Sequence, residues 1–247
     1  MIEPFFFGRK GAFACYHPSV DPGSTKLLVV CPPFFDEYRR CYRALSELAN
    51  ACSAAGVHVL RIDYFGTGEA QGLLSEATAQ DWIGDVGCAV EEGLSLTGAD
   101  RVVLLGVRFG ATIAAQCRHR SIERYIFWDP VETGAQYLGW LNDVDAMQKS
   151  RHMQLAREYN NEAEDMSSVC FELNTALRSE IGTLSMERLL SVQADRVWVV
   201  ATDEDFNKAG HYRHCEFGGF RYDWPAFHEG NFTPKPVLKR LASRVVM

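Results

Sequence analysis

The segment Leu104-Leu-Gly-Val-Arg108-Phe-Gly-Ala reads as the end of a strand that passes through two glycines, Gly106 and Gly110, into a helix of small residues. A turn of this kind needs glycine where strand and helix approach closely, and it holds its central residue in a strained conformation above the sheet edge. When that residue is Ser, its hydroxyl is the nucleophile of acyl transfer, activated by a histidine that an acid orients. Here the position holds Arg108. A guanidinium neither attacks a carbonyl nor loses its proton near neutral pH, so an acyl-enzyme through this residue is excluded. Two roles remain for it. It can clamp a carboxylate or phosphate at the helix N-terminus, or it can pair with Asp205 or Asp129 and fill the old pocket.

The other members of such a set are present in matching chain order: elbow residue, acid, histidine. Asp205 follows the late strand DRVWVVAT at the distance expected of the acid, with Asp203 and Asp129 as alternatives; Asp129 ends the preceding strand at FWDP. His228 stands in the loop before the last helix, in WPAFHEGN. It is either a general base acting directly on water or a surface-loop histidine. Oxyanion donors would be the backbone N–H of Phe109 and that of Phe34 or Phe35, since Pro32 and Pro33 have none. As replacement nucleophiles, Cys31 at a strand end is expected to be buried, and Thr112, one turn into the elbow helix, to face packing.

Strands and helices must alternate to place these residues. A hairpin is expected at Phe5–Phe7 and Ala12–Tyr16, as an edge packing on the core. Strands follow at Lys26-LLVVC, VHVLRID and RVVLLG (101–106), and then at RYIFWDP. Helices are expected over about Asp36–Ala55 and Ala79–Leu96, from Gly110, and over about Pro236–Val246. A further strand is expected near Tyr212–Phe217. This order implies a mainly parallel sheet covered on both faces. The mixed polar stretch of about 131–192 reads as a helical cap inserted over the sheet's carboxyl edge, within one domain spanning 1–247. GTGEAQG, Gly66–Gly72, lacks the Lys-Ser/Thr of a phosphate loop and reads as a turn. In HYRHC, His211 and His214 would fall on opposite faces of a strand, so no metal site is expected there.

Of the 247 residues, 25 are Lys or Arg and 32 are Asp or Glu, a formal charge of −7. With no basic block, this balance disfavours nucleic acid and anionic membrane as partners. The eight cysteines form no CxxC pair and suggest free thiols in a reducing compartment. No signal-peptide core follows MIEPFFFGRKGAF and no run approaches a membrane span, so a cytoplasmic protein without membrane insertion is expected. No dinucleotide, P-loop or metal signature implies a cofactor. Nothing in the chain names a protein partner.

The runs CPPFFDEYRRCYRAL, GVHVLRIDYFGTGEAQG, DWIGDV, LLGVRFGA and FWDPVETGAQYL resemble the exosortase A-associated hydrolases, an α/β-hydrolase group related to serine aminopeptidase-like proteins. The resemblance covers roughly residues 1–145. It implies an α/β-hydrolase fold, Arg at the elbow in place of Ser, and a setting in exopolysaccharide synthesis and the sorting of membrane-anchored proteins. Two functions are then expected. One is an acyl ester or thioester hydrolase, or an acyltransferase, in which His228 and Asp205 act with water or an acceptor hydroxyl and Arg108 binds an anionic group. The other is a non-catalytic relative, a pseudoenzyme that binds a small acyl or anionic ligand, or a partner, through the cap pocket.

Overall fold

The computed structural model describes residues 2–158, 173–202, 212–218, 224 and 233–247. The chain opens with an antiparallel hairpin, β1 (Glu3–Phe7) and β2 (Ala12–His17), in which Phe6 faces Phe13. There follow β3 (Lys26–Cys31), α1 (Phe35–Ala54), β4 (His58–Asp63), α2 (Ala79–Thr97), β5 (Arg101–Val107), α3 (Phe109–Ala114) and β6 (Ile122–Trp128). Three helices come next: α4 (Gly134–Glu158), α5 (Thr175–Thr183) and α6 (Glu187–Gln193), the last two in the C-terminal part of the stretch expected as a cap. Strands β7 (Val197–Ala201) and β8 (His214–Phe217) and helix α7 (Lys235–Val246) complete the described chain.

The eight strands form one sheet in the order β1-β2-β4-β3-β5-β6-β7-β8. Only β2 runs against its neighbours; β4 through β8 and β3 are parallel. Every residue of β3 is buried, as a central parallel strand covered on both faces requires. Its side chains alternate between two cores. Leu27, Val29 and Cys31 join Trp82, Val86 and Phe109 from α2 and α3. Leu28 and Val30 join Leu45, Leu48, Val237 and Leu241 from α1 and α7. Strand β5 repeats the pattern, with Val102 and Leu104 on the first side and Val103, Leu105 and Val107 on the second.

Each strand and helix for which bounds were expected lies within about two residues of them, because the periodicities are strong and the stops are chemical. Helix α2 shows both stops. Thr78 caps its N-terminus, accepting the Asp81 N–H at 3.1 Å while Asp81 accepts that of Thr78 at 2.9 Å, a reciprocal capping box. At the other end Gly98 takes φ 69°, where glycine carries no steric penalty. The Gly66–Gly72 segment is a turn closed by Gly66 N–H donating to Gln71 O at 2.9 Å. Asp85 of α2 supports its entry by accepting the Phe65 N–H at 2.8 Å. All seven described cysteines are free thiols, and Cys170 lies outside the described residues. Among the described residues no helix is long and apolar enough to cross a membrane.

Two tests follow from these contacts. A Cβ at Gly110 would meet Pro32 O at 2.2 Å, whereas one at the exposed Gly84 of α2 would meet nothing within 4 Å. In urea melts Gly84→Ala should therefore gain about 0.5–1 kcal/mol, while Gly110→Ala should lose stability. Equal shifts would refute the close approach at the elbow. The second test is pH dependence, since burial pushes the Asp85 carboxyl up to about 6. The folded state then holds this proton more tightly than the unfolded chain, whose carboxyl titrates at ~4. The resulting stabilisation is full at lower pH and fades as the pH rises through about 6. Urea midpoints of Asp85→Asn should lack this component of the decline; parallel wild-type and variant profiles would refute it.

Candidate functional site at the strand-to-helix turn

The turn after β5 has the geometry its sequence called for. Arg108 sits at φ 54° and ψ −123°, a strained backbone for a long L residue. Its N–H donates to Trp128 O of β6 at 3.0 Å, and its carbonyl accepts from Ala111 at 3.1 Å and Val131 at 3.3 Å. Gly106 and Gly110 allow α3 to lie directly on β5 and on the end of β3. Among the described residues two other non-glycine residues have positive φ, Phe35 at 57° and Asp129 at 44°. The three lie at the carboxyl ends of β5 and β6 and at the start of α1, just past β3. Backbone strain among the described residues is thus gathered at one edge of the sheet, where functional sites concentrate it.

The side chain of Arg108 turns towards α1. Its Nε donates to Glu37 Oε1 at 2.7 Å and its Nη1 to the backbone oxygen of Asp129 at 3.1 Å. Nη2 is the one guanidinium nitrogen without an acceptor among the described residues. The guanidinium carbon lies 5.1 Å from the ring centre of Trp224 and 5.9 Å from that of Trp140, within the range of cation–π attraction. Glu37 is 1% exposed. Burial pushes its carboxyl upward, and the Arg108 charge and hydrogen bond pull it back. Glu37 Oε2, the Tyr137 hydroxyl and Trp140 Nε1 are also buried there, each without a hydrogen-bond partner among the described residues. Tyr137, from α4, stacks on Phe109 at 4.4 Å and on Trp140 at 5.7 Å.

Pairing of Arg108 with the carboxylate of Asp129 is corrected: its carboxylate partner among the described residues is Glu37. The Asp129 carboxylate is turned away to β7. Its Oδ1 accepts the Thr202 N–H at 2.8 Å, and its Oδ2 accepts the Thr202 hydroxyl at 2.5 Å and Trp224 Nε1 at 2.8 Å. With three donors on it, Asp129 ties the ends of β6 and β7 together, and no described imidazole reaches it. Burial raises its carboxyl, and the Thr202 and Trp224 bonds lower it. Asp203, Asp205, His211 and His228 lie outside the described residues.

Phe34 and Phe109, expected as backbone donors, meet at 5.8 Å between ring centres, with Phe34 also stacked on Tyr64 at 4.8 Å. Phe35 begins α1. Cys31 is fully buried and its thiol is pushed up by burial, so it is no nucleophile. Thr112 is buried with its hydroxyl donated to Val131 O. Sequence reasoning missed Glu37, Tyr137, Trp140 and Trp224. The signal for Glu37 was present: a helix starting directly after Pro32-Pro-Phe-Phe35 brings its first-turn acids to the elbow edge.

No family model and no curated protein matches the chain. Solved structures do. A hypothetical protein from Pseudomonas aeruginosa superposes with TM-score 0.64 at 13% identity, over 99% of this chain and 93% of that one. Est1E from Butyrivibrio proteoclasticus gives 0.60 at 15% identity, over 98% and 96%. A thioesterase domain from the curacin biosynthetic pathway gives 0.56 at 14% identity, over the whole of both chains. This chain has the α/β-hydrolase fold. The strand order with a lone antiparallel β2 and the strained residue between β5 and α3 are its marks. In this chain the strained residue between β5 and α3 is one half of an ion pair.

The pair sets the stability of the site. Arg108→Met strands a buried carboxylate, and the expected loss is about 3–5 kcal/mol near neutral pH. Without the arginine, Glu37 holds a proton more readily. The deficit should therefore shrink as pH falls, because protonation removes the unpaired charge. Urea midpoints at several pH values check this; a deficit that grows on acidification would refute the pairing.

Proposed function

We propose that this chain is a binding protein on an α/β-hydrolase scaffold, one that recognises a small acyl or anionic molecule at the elbow edge and forms no acyl-enzyme. The carrying observation is the 2.7 Å bond from Arg108 Nε to the buried Glu37. A nucleophile is absent at the strained position, and the cation there is held by an anion and two indole rings rather than left open for chemistry. Nη2 is the guanidinium nitrogen still offered to a ligand's oxygen. The resemblance to the exosortase A-associated hydrolases favours a role beside exopolysaccharide synthesis, and the free thiols favour a cytoplasmic one. A substrate-converting reading, with His228 and Asp205 directing water or an acceptor hydroxyl, is the alternative that the test addresses.

The test is turnover of acyl thioesters and short aryl esters by the purified protein and by His228→Ala. The expected result is no hydrolysis above the buffer background for either. Turnover that disappears in His228→Ala would overturn the proposal and establish hydrolysis without a serine nucleophile. In parallel, Arg108→Ser combined with Glu37→Gln places a hydroxyl at the elbow without leaving a buried charge.

A further inference from the structure

Beside the elbow, on the far side of Phe34, lies a cavity of about 230 Å³ between the ends of β3 and β4. Its walls are apolar: Pro33, Phe34, Phe35 and Leu74, the last from a short 3-10 turn, Leu74–Glu76. One charged side chain lines it, Asp63 at the end of β4, with Tyr38 of α1 beside it. The Tyr38 hydroxyl donates to Asp63 Oδ1 at 2.5 Å, and the Glu69 N–H donates to Oδ2 at 3.0 Å. These two bonds leave carboxylate lone pairs unused. Gly68 packs so closely that a Cβ there would sit 2.3 Å from Oδ2, so the glycine turn presses directly on the acid.

Asp63 is 6% exposed and has no cation within ion-pair distance among the described residues. Arg61, two residues back on β4, instead donates to His17 Nε2 at 3.2 Å. A carboxylate buried without a counter-ion costs free energy that an incoming cation recovers. Burial raises the Asp63 carboxyl, and the bonds from Glu69 and Tyr38 and the more distant charge of Arg61 lower it, none of them as a direct ion pair. A polyol fits poorly, because most of its hydroxyls would lose water against proline and phenylalanine without finding partners. An anion would face the acid.

We infer that this cavity is a binding site for a small amine, whose ammonium meets Asp63 and whose apolar body lies against Pro33, Phe34, Phe35 and Leu74. The amine is protonated and non-covalently held. Neither Arg108 nor Glu37 lines the cavity, so the site stands whether or not the elbow converts a substrate. The outcome of the ester assay does not bear on it.

Calorimetric titration with 2-phenylethylamine and with 2-phenylethanol, its neutral analogue, tests the inference on the wild-type chain without any substitution. The amine should bind saturably and about tenfold or more tightly than the alcohol, as a charge-assisted bond requires. Asp63→Asn should remove that preference, and Leu74→Trp, which fills the cavity from its rim, should weaken both ligands. Absence of saturable amine binding, equal affinity for amine and alcohol, or a preference that survives Asp63→Asn would each overturn it.

Discussion

Everything at the carboxyl edge of this sheet depends on one steric constraint, the close approach of α3 to β5 and to the end of β3. The approach is possible because positions 106 and 110 carry no side chain: a Cβ at Gly106 would meet the Ala111 backbone at 2.4 Å and one at Gly110 would meet Pro32 O at 2.2 Å. With α3 pinned there, the connecting residue has no relaxed conformation open to it and stands at φ 54°. The hydrogen bond from Arg108 N–H to Trp128 O and the bond from Val131 to the Arg108 carbonyl hold it in place. A surrounding structure that over-determines a residue in this way is what allows strain to persist.

What stands on that pedestal then decides what must surround it. A serine hydroxyl is small and uncharged and can be served by a histidine. An arginine is long and permanently charged, so in a mostly enclosed site it demands an anion and flat, polarisable surfaces. Glu37 supplies the first, and Trp140 and Trp224 the second. The same demand accounts for the posture of Asp129, whose backbone oxygen serves the guanidinium while its carboxylate is bound to Thr202 and Trp224. Trp224 therefore touches both charges: its ring faces Arg108 and its indole N–H satisfies Asp129. Loss of that indole would unsettle two charged groups at once, buried Asp129 and half-buried Arg108, an effect larger than its apolar area alone implies.

The scaffold was legible in the sequence because its signals are local and redundant. Buried strands such as LLVVC announce themselves as continuous apolar runs, α2 carries its own capping box and terminal glycine, and the two glycines around Arg108 mark the strained turn. The partner of Arg108 was not legible in the same way. Glu37 and Asp129 both stand near the turn, and choosing between them depends on where each side chain is aimed. Asp129 sits one strand away yet is turned aside by two hydrogen bonds from a single residue, Thr202, that no pattern connects to it. Glu37 is 71 positions from Arg108, and its one clue, an acid in the first turn of α1, has a common alternative meaning as a favourable charge near a helix N-terminus. Nor does periodicity reveal φ 57° at Phe35 or φ 44° at Asp129, since neither residue type prefers that backbone strongly enough to announce it.

The first turn of α1 connects the two halves of this edge. Phe35 enters it with strained backbone, Glu37 points to the elbow and is buried against Arg108, and Tyr38, the next residue, points to the neighbouring cavity and holds Asp63. Adjacent helical positions face about 100° apart, so one turn can serve two sites only by standing between them, and Phe34 is the partition. The two buried acids are satisfied differently. Glu37 has a cation of the protein's own, whereas Asp63 has a phenol and a backbone N–H, which supply hydrogen bonds but no positive charge. A carboxylate in the second condition is the more responsive of the two, because an arriving cation can form the direct ion pair that Arg61, bonded to His17 and acting on the acid without contact, does not. One turn of helix thus sets two different electrostatic conditions side by side: at the elbow a cation with one nitrogen, Nη2, left over after its own anion is served, and one residue along a carboxylate served by hydrogen bonds alone.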